Sequence, residues 1–129
     1  MTHLIIGNGI AGVCAAEAIR ELDADTPIAM VSDERFPPYS RPMLGHVLEG
    51  AQPIEKLPVR SPGFYEQLKI EPLLGHRVTT VLPQEKRVEL ADGRTVGYGR
   101  LLIASGADPR RLSIPGHDLE NIFYLRTER

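Results

Sequence analysis

The sequence predicts an α/β fold: a central parallel sheet with an added small antiparallel β-meander. Three observations carry this expectation. The first 32 residues read as strand, helix, strand; several short apolar runs follow after residue 76; and Asp92-Gly93 lies between two of those runs as a hairpin turn. The chain has 129 residues, 42% hydrophobic and 25% charged, the composition of one compact domain. A chain of this size buries roughly two-thirds of its unfolded surface.

Thr2 to Ile6 is a β-rich run that ends abruptly in Gly7-Asn8-Gly9-Ile10-Ala11-Gly12, a strand feeding a glycine turn. Apolar and small residues then recur at Ile10, Val13, Cys14, Ala16, Ile19 and Leu22, with Glu17, Arg20, Glu21 and Asp23 filling the other face of an amphipathic helix. On this reading Cys14 is a buried packing residue. Pro27 disfavours helix at Thr26, and Ile28-Ala29-Met30-Val31 restarts as a second strand, completing a βαβ unit. Pro37, Pro38 and Pro42 keep the next segment out of regular structure. Short helices are expected from Met43 to Leu48, ended by Gly50, and from Pro62, a favoured first helical position, to about Leu68. Strands are expected at Arg77–Leu82, Arg87–Leu90, Thr95–Tyr98 and Leu101–Ala104, with a last apolar run at Ile122–Leu125.

Several function classes are disfavoured at once. Fifteen Lys and Arg face 17 Asp and Glu, a net charge of −2 with no basic stripe to follow a nucleic-acid backbone. Cys14 is the single cysteine, so no disulfide framework or zinc site can be argued, and His3, His76 and His117 have no partners at metal-ligand spacing. The longest apolar run, Ile10 to Ala16, stops at Glu17, well short of the roughly 20 residues that cross a bilayer. A cytoplasmic protein without membrane or nucleic-acid partners is the expectation.

Gly7, Gly9 and Gly12 match the G-x-G-x-x-G spacing. Each glycine has its own physical reason in that pattern: a tight turn, close approach of backbone to a pyrophosphate, and close packing of helix on strand. A helix opening near Ile10 points unpaired amides and its positive dipole end at phosphate. Asp33 arrives 21 residues after Gly12, near the spacing of about 20 expected for an acid that binds a ribose hydroxyl. A dinucleotide site is therefore expected, and spacing alone leaves nicotinamide and flavin dinucleotides both open.

The run from Val31 to Leu44, an acid followed by a proline-rich loop and then Arg41, resembles the pyridine nucleotide-disulphide oxidoreductases, in the branch of ferredoxin and rubredoxin reductases, the apoptosis-inducing factor type and the nitrite reductase flavoprotein. Gly75 to Val81, Val88 to Gly93, Leu101 to Ala107, Ile114-Pro115-Gly116 and Asn121 to Arg126 are similar to further segments of that family in the same order. The resemblance implies a Rossmann-like FAD-binding domain. It implies that Gly7, Asn8, Gly9, Ile10, Ala11 and Gly12 wrap the FAD pyrophosphate, and that Asp33 accepts from the adenosine ribose, with Glu34 the neighbouring alternate. Arg41 and Pro42 would lie along the diphosphate and ribityl side, where a guanidinium fork suits phosphate. Val78 would offer its backbone to the adenine edge, and Ala104, Ser105 and Gly106 would pass close to the cofactor.

The implied function is the FAD-binding portion of an NAD(P)H-dependent flavoprotein oxidoreductase, with NAD(P)H as co-substrate and an acceptor such as an iron–sulfur protein. The family's redox cysteine pair is absent, and His46 stands where a lysine often falls, as a candidate proton donor near the flavin. The family's second nucleotide domain and returning segment are not among these residues. The expectation is thus an incomplete domain, 1–129, inactive alone and completed by the missing nucleotide domain or a partner chain. Two other readings stay open: a non-catalytic dinucleotide-binding module, and a small NAD-binding dehydrogenase using Tyr65 and Lys69 at Tyr-x-x-x-Lys spacing.

Overall fold

The computed structural model describes residues 2–127. Strand β1 (His3–Ile6) leads through the glycine turn into helix α1 (Ile10–Leu22), which returns to β2 (Ile28–Ser32). A single turn of 3-10 helix at Arg41–Met43 runs into α2 (Leu44–Leu48), and α3 (Phe64–Gln67) precedes β3 (Ile70–Leu74). Then come β4 (Val78–Leu82), β5 (Arg87–Leu90), β6 (Thr95–Gly97) and β7 (Arg100–Ile103).

The strands form two sheets. In the first, the order is β3-β2-β1-β7, and all three pairings are parallel. The second is the antiparallel meander β4-β5-β6, turned between β5 and β6 at Asp92-Gly93, where the Asp92 carboxylate accepts from the Arg94 amide. This is the predicted class.

Both faces of the parallel sheet are covered, which explains why β2 is an unbroken apolar run. Because successive side chains point to opposite faces, Ile5, Ile28 and Met30 meet Val13 and Ala16 of α1 and Phe64 and Tyr65 of α3 on one side. Leu4, Ala29 and Val31 meet Val88 and Leu90 of the meander on the other. Arg20, in the last turn of α1, fastens the helix to both neighbours: its guanidinium donates to the carbonyls of Leu68, Asp23 and Thr26 at 2.8 to 3.0 Å.

Three features differ from expectation. Cys14 is exposed, not buried. At about 100° per residue it lies nearly opposite Gly12 and Ala16, which with Val13 form the stripe on the sheet. The strand β3 is an addition; Glu71 and Pro72 disguise it, and its place at the sheet edge is where a strand tolerates a proline. The expected strand at Leu101–Ala104 is present as β7 at the other edge, where Leu102 and Ile103 remain exposed. Ile122–Leu125 forms no strand but irregular chain.

Candidate functional site

The sheet order places β2 and β3 on one side of β1 and β7 on the other. Open α/β sheets bind ligands outside the carboxyl ends of their strands at such a reversal. A cleft of about 780 Å³ lies there, walled by the glycine turn, the end of β2, the proline-rich loop, the start of β4 and the chain after β7. Of the residues expected at the site, Gly7, Asn8, Gly9, Ile10, Ala11, Asp33, Glu34, Arg41, Pro42, Val78, Ala104, Ser105 and Gly106 all line it. Gly12 alone does not.

The three glycines do different work. Gly7 turns the chain at φ +115°, and a Cβ there would stand 2.2 Å from the Ala104 carbonyl oxygen. That strand end is itself fixed by the Gly7 amide on the Val31 carbonyl and the Ala104 amide on the Ile6 carbonyl, at 2.8 and 2.7 Å. Gly12 sits where a Cβ would lie 2.1 Å from the Gly7 carbonyl oxygen, so the helix can rest on the strand only without a side chain. At Gly9 a Cβ would meet nothing within 4 Å. This residue borders open space at the N-cap of α1, with no side chain capping the helix and no acid in its first turn. Free first-turn amides and the positive end of the helix dipole therefore face the cleft.

Asn8 has a role the spacing did not show. Its Nδ2 donates to the Phe36 carbonyl at 3.0 Å and its Oδ1 accepts from the Tyr65 hydroxyl at 2.9 Å, so its side chain ties the glycine turn to the proline-rich loop and to α3. Burial pushes the Tyr65 phenol up from its ordinary pKa, against the opposing pull of the Asn8 bond. A Tyr65–Lys69 catalytic pair thus has its tyrosine already committed to Asn8 inside the core.

At the end of β2, Asp33 is exposed while its neighbour Glu34 is buried. The Glu34 carboxylate pairs with the Arg41 guanidinium and accepts from the Tyr39 hydroxyl at 2.5 Å. Arg41 also donates to the Arg126 carbonyl at 2.6 Å. Neither Tyr39 nor Arg126 stood out as a site residue in the sequence, although a glutamate inside a proline-rich loop needs a partner once buried, and Tyr39 is two residues from Arg41.

Val78 both lines the cleft and packs in the meander-side core. Beside it, His76 lies 3.3 Å from the Asp92 carboxylate, and the hydrogen bonds from the Arg94 side chain and amide hold that carboxyl down to about 2. His46 is half-exposed on α2, 3.7 Å from Glu49, and does not line the cleft. Among the described residues no cluster of three or more His, Cys, Asp or Glu could hold a metal ion, and no helix is long and apolar enough to cross a membrane.

Residues 1–128 match the family of pyridine nucleotide-disulphide oxidoreductases. The chain is 38% identical over 125 residues to the ferredoxin–NAD(+) reductase subunit of the benzene 1,2-dioxygenase system of Pseudomonas putida, covering 95% of this chain and 30% of that protein. It is 38% identical over 124 residues to human apoptosis-inducing factor 3, covering 96% of this chain and 20% of that protein. The crystal structure of a ferredoxin reductase from Rhodopseudomonas palustris superimposes with a TM-score of 0.85 at 34% identity, over 98% of this chain and 31% of that one. The chain thus spans a third or less of the length of these relatives. With its fold, glycine turn and matching sequence over nearly every residue, the chain belongs to the pyridine nucleotide-disulphide oxidoreductase family.

Proposed function

We propose that this chain is the FAD-binding portion of an NAD(P)H-dependent flavoprotein oxidoreductase that delivers electrons to an acceptor such as an iron–sulfur protein. The observation that carries the reading is the cradle at Gly9, where the missing side chain opens onto free helix amides at the mouth of the cleft. A diphosphate fits this donor set, and the space a Cβ would fill is the space it needs. Gly7 to Ala11 hold the pyrophosphate, with Gly12 seating the helix behind them, while Arg41 and Pro42 border the diphosphate and ribityl side. Asp33, exposed at the end of β2, accepts from the adenosine ribose. Val78 presents backbone to the adenine, and Ala104, Ser105 and Gly106 let the chain pass close. Flavin, when bound, supplies a hydride acceptor for nicotinamide and a donor of electrons onward.

The acceptor class is supported by the Pseudomonas putida relative, a ferredoxin–NAD(+) reductase subunit. Residues 1–129 would form the N-terminal segment of the FAD domain, with the nicotinamide site and the rest of the flavin site supplied by further polypeptide, in a protein of the cytoplasm. The visible spectrum of the purified longer protein tests the reading: flavin absorption is expected, and its absence from protein reconstituted with FAD would refute it.

Asp33 gives a sharper test. Hydrogen bonds to a charged group contribute about 1.5 to 3 kcal/mol, so Asp33→Ala should weaken FAD binding roughly tenfold or more. Equilibrium dialysis against FAD measures this, and unchanged affinity would remove Asp33 from the ribose.

A further inference from the structure

Glu34 and Asp33 are adjacent acids with opposite fates. Asp33 is exposed; the Glu34 side chain keeps only 9% of its surface, and the residue's own backbone is fixed at both ends, its amide donating to the Ser32 hydroxyl at 3.2 Å and its carbonyl accepting from the Gly75 amide at 3.1 Å. Both carboxylate oxygens are taken, Oε1 by Nη2 of Arg41 and Oε2 by the Tyr39 hydroxyl. Tyr39 closes the triangle, because the same hydroxyl accepts from Nη1 of Arg41 at 3.2 Å while its ring lies 5.3 Å beneath the guanidinium carbon. The other Nη1 hydrogen reaches the Arg126 carbonyl at 2.6 Å, across 85 residues of chain.

Arginine has five N–H groups in a fixed plane. Three are engaged by these partners among the described residues, and the geometry leaves Nε–H and one Nη2–H for a ligand. A free arginine side chain holds many rotamers and loses them on binding. Here that freedom is already removed, and the plane of the fork is set by a carboxylate that the backbone holds still.

Resting on the flavin reading, we propose that Glu34 is a positioning residue, which with Tyr39 fixes the Arg41 guanidinium at the cleft so that Arg41, not Glu34, meets the dinucleotide. The alternative, direct acceptance from the ribose by Glu34, asks for an accessible carboxylate, and this one is enclosed. The charge argument gives the two effects opposite signs. As a bare negative charge near a diphosphate, Glu34 would weaken binding, and neutralising it would tighten FAD. As the anchor of Arg41 it strengthens binding, and neutralising it loosens FAD.

The test is a double-mutant cycle on the full-length protein carrying this chain, with FAD affinity read by flavin fluorescence at fixed ionic strength. Glu34→Gln is expected to weaken FAD about tenfold because it removes the charge paired with Arg41, and Tyr39→Phe less because it leaves that ion pair in place. Arg41→Ala should weaken it at least as much as Glu34→Gln, and in the Arg41→Ala background, where Glu34 is a bare charge, Glu34→Gln should cause no further loss and should tighten binding if it has any effect. Additive losses would assign Glu34 a ligand contact of its own and overturn the proposal. So would unchanged or tighter binding by Glu34→Gln. If that variant fails to fold by circular dichroism, Tyr39→Phe run through the same cycle decides in its place: a loss that disappears without Arg41 supports the anchor, and one that persists overturns it. A wild-type protein that binds no FAD would instead bring down the flavin reading, an outcome distinct from all of these.

Discussion

Gly9→Val is expected to purify without flavin and yet to melt close to the wild type, as absorbance at flavin wavelengths and thermal denaturation together would show. The reason lies in what surrounds each glycine of the turn. A Cβ at position 9 has no protein atom within 4 Å, and the backbone there, at φ −83° and ψ −176°, is extended and open to any residue. Valine is a poorer N-cap than glycine, which costs about 1 kcal/mol or less. The isopropyl group would occupy the opening above the helix amides, where the pyrophosphate must come within hydrogen-bond distance. Gly12→Val is the contrasting case, because its Cβ would lie 2.1 Å from the Gly7 carbonyl oxygen. Helix and strand must separate, a strain of the overpacking kind that costs about 1 to 3 kcal/mol or more, and this variant should lose melting temperature as well as flavin. A Gly9→Val protein that came off the column yellow at full occupancy would show that the turn does not face the phosphates.

The contrast also shows what kind of information the sequence carried. The βαβ unit and the three glycine positions were legible because each depends on local patterns: apolar runs, a glycine spacing and an acid at the end of the second strand. The meander was legible for the same reason, through Asp92-Gly93. β3 was not, since a strand containing Glu71 and Pro72 is recognisable only once β2 stands beside it, with Met30 opposite Pro72. The exposure of Cys14 is not legible because small residues surround it on every side of α1; Ala11, Gly12, Ala15, Ala16 and Ala18 blur the stripe, and the sheet selects Gly12, Val13 and Ala16.

Side-chain partnerships were the least legible layer. Arg41 and Glu34 were each expected at the site, but their pairing is made by the path of a loop with three prolines, and Tyr39 enters only because that path brings its hydroxyl to Glu34. Arg126 joins across 85 residues through a backbone carbonyl, a contact that carries no residue identity at all. Asn8 is a related case: its position in the fingerprint marks the turn, while its amide is spent on Phe36 and Tyr65.

Expressed by themselves, residues 1–129 are expected to show no NAD(P)H oxidation above the rate of free FAD, and to bind FAD more weakly than the longer protein does. Hydride transfer requires two rings held about 3 to 3.5 Å apart in a defined orientation. The sequence contains one G-x-G-x-x-G fingerprint, at Gly7 to Gly12, enough to position one dinucleotide and not two. Its relatives are longer by far, with this chain matching 30% of the Pseudomonas putida reductase subunit and 20% of human apoptosis-inducing factor 3. On the proposed reading Gly9, Asp33 and Arg41 all act on the adenosine diphosphate half, and none of them holds the ring. Anaerobic mixing with NADH or NADPH separates the cases. Bleaching of bound flavin in the longer protein, but not in residues 1–129 loaded with FAD, is the expected pair of results. Stoichiometric flavin and rapid turnover by the isolated 129 residues would instead mean that these residues also build the nicotinamide site.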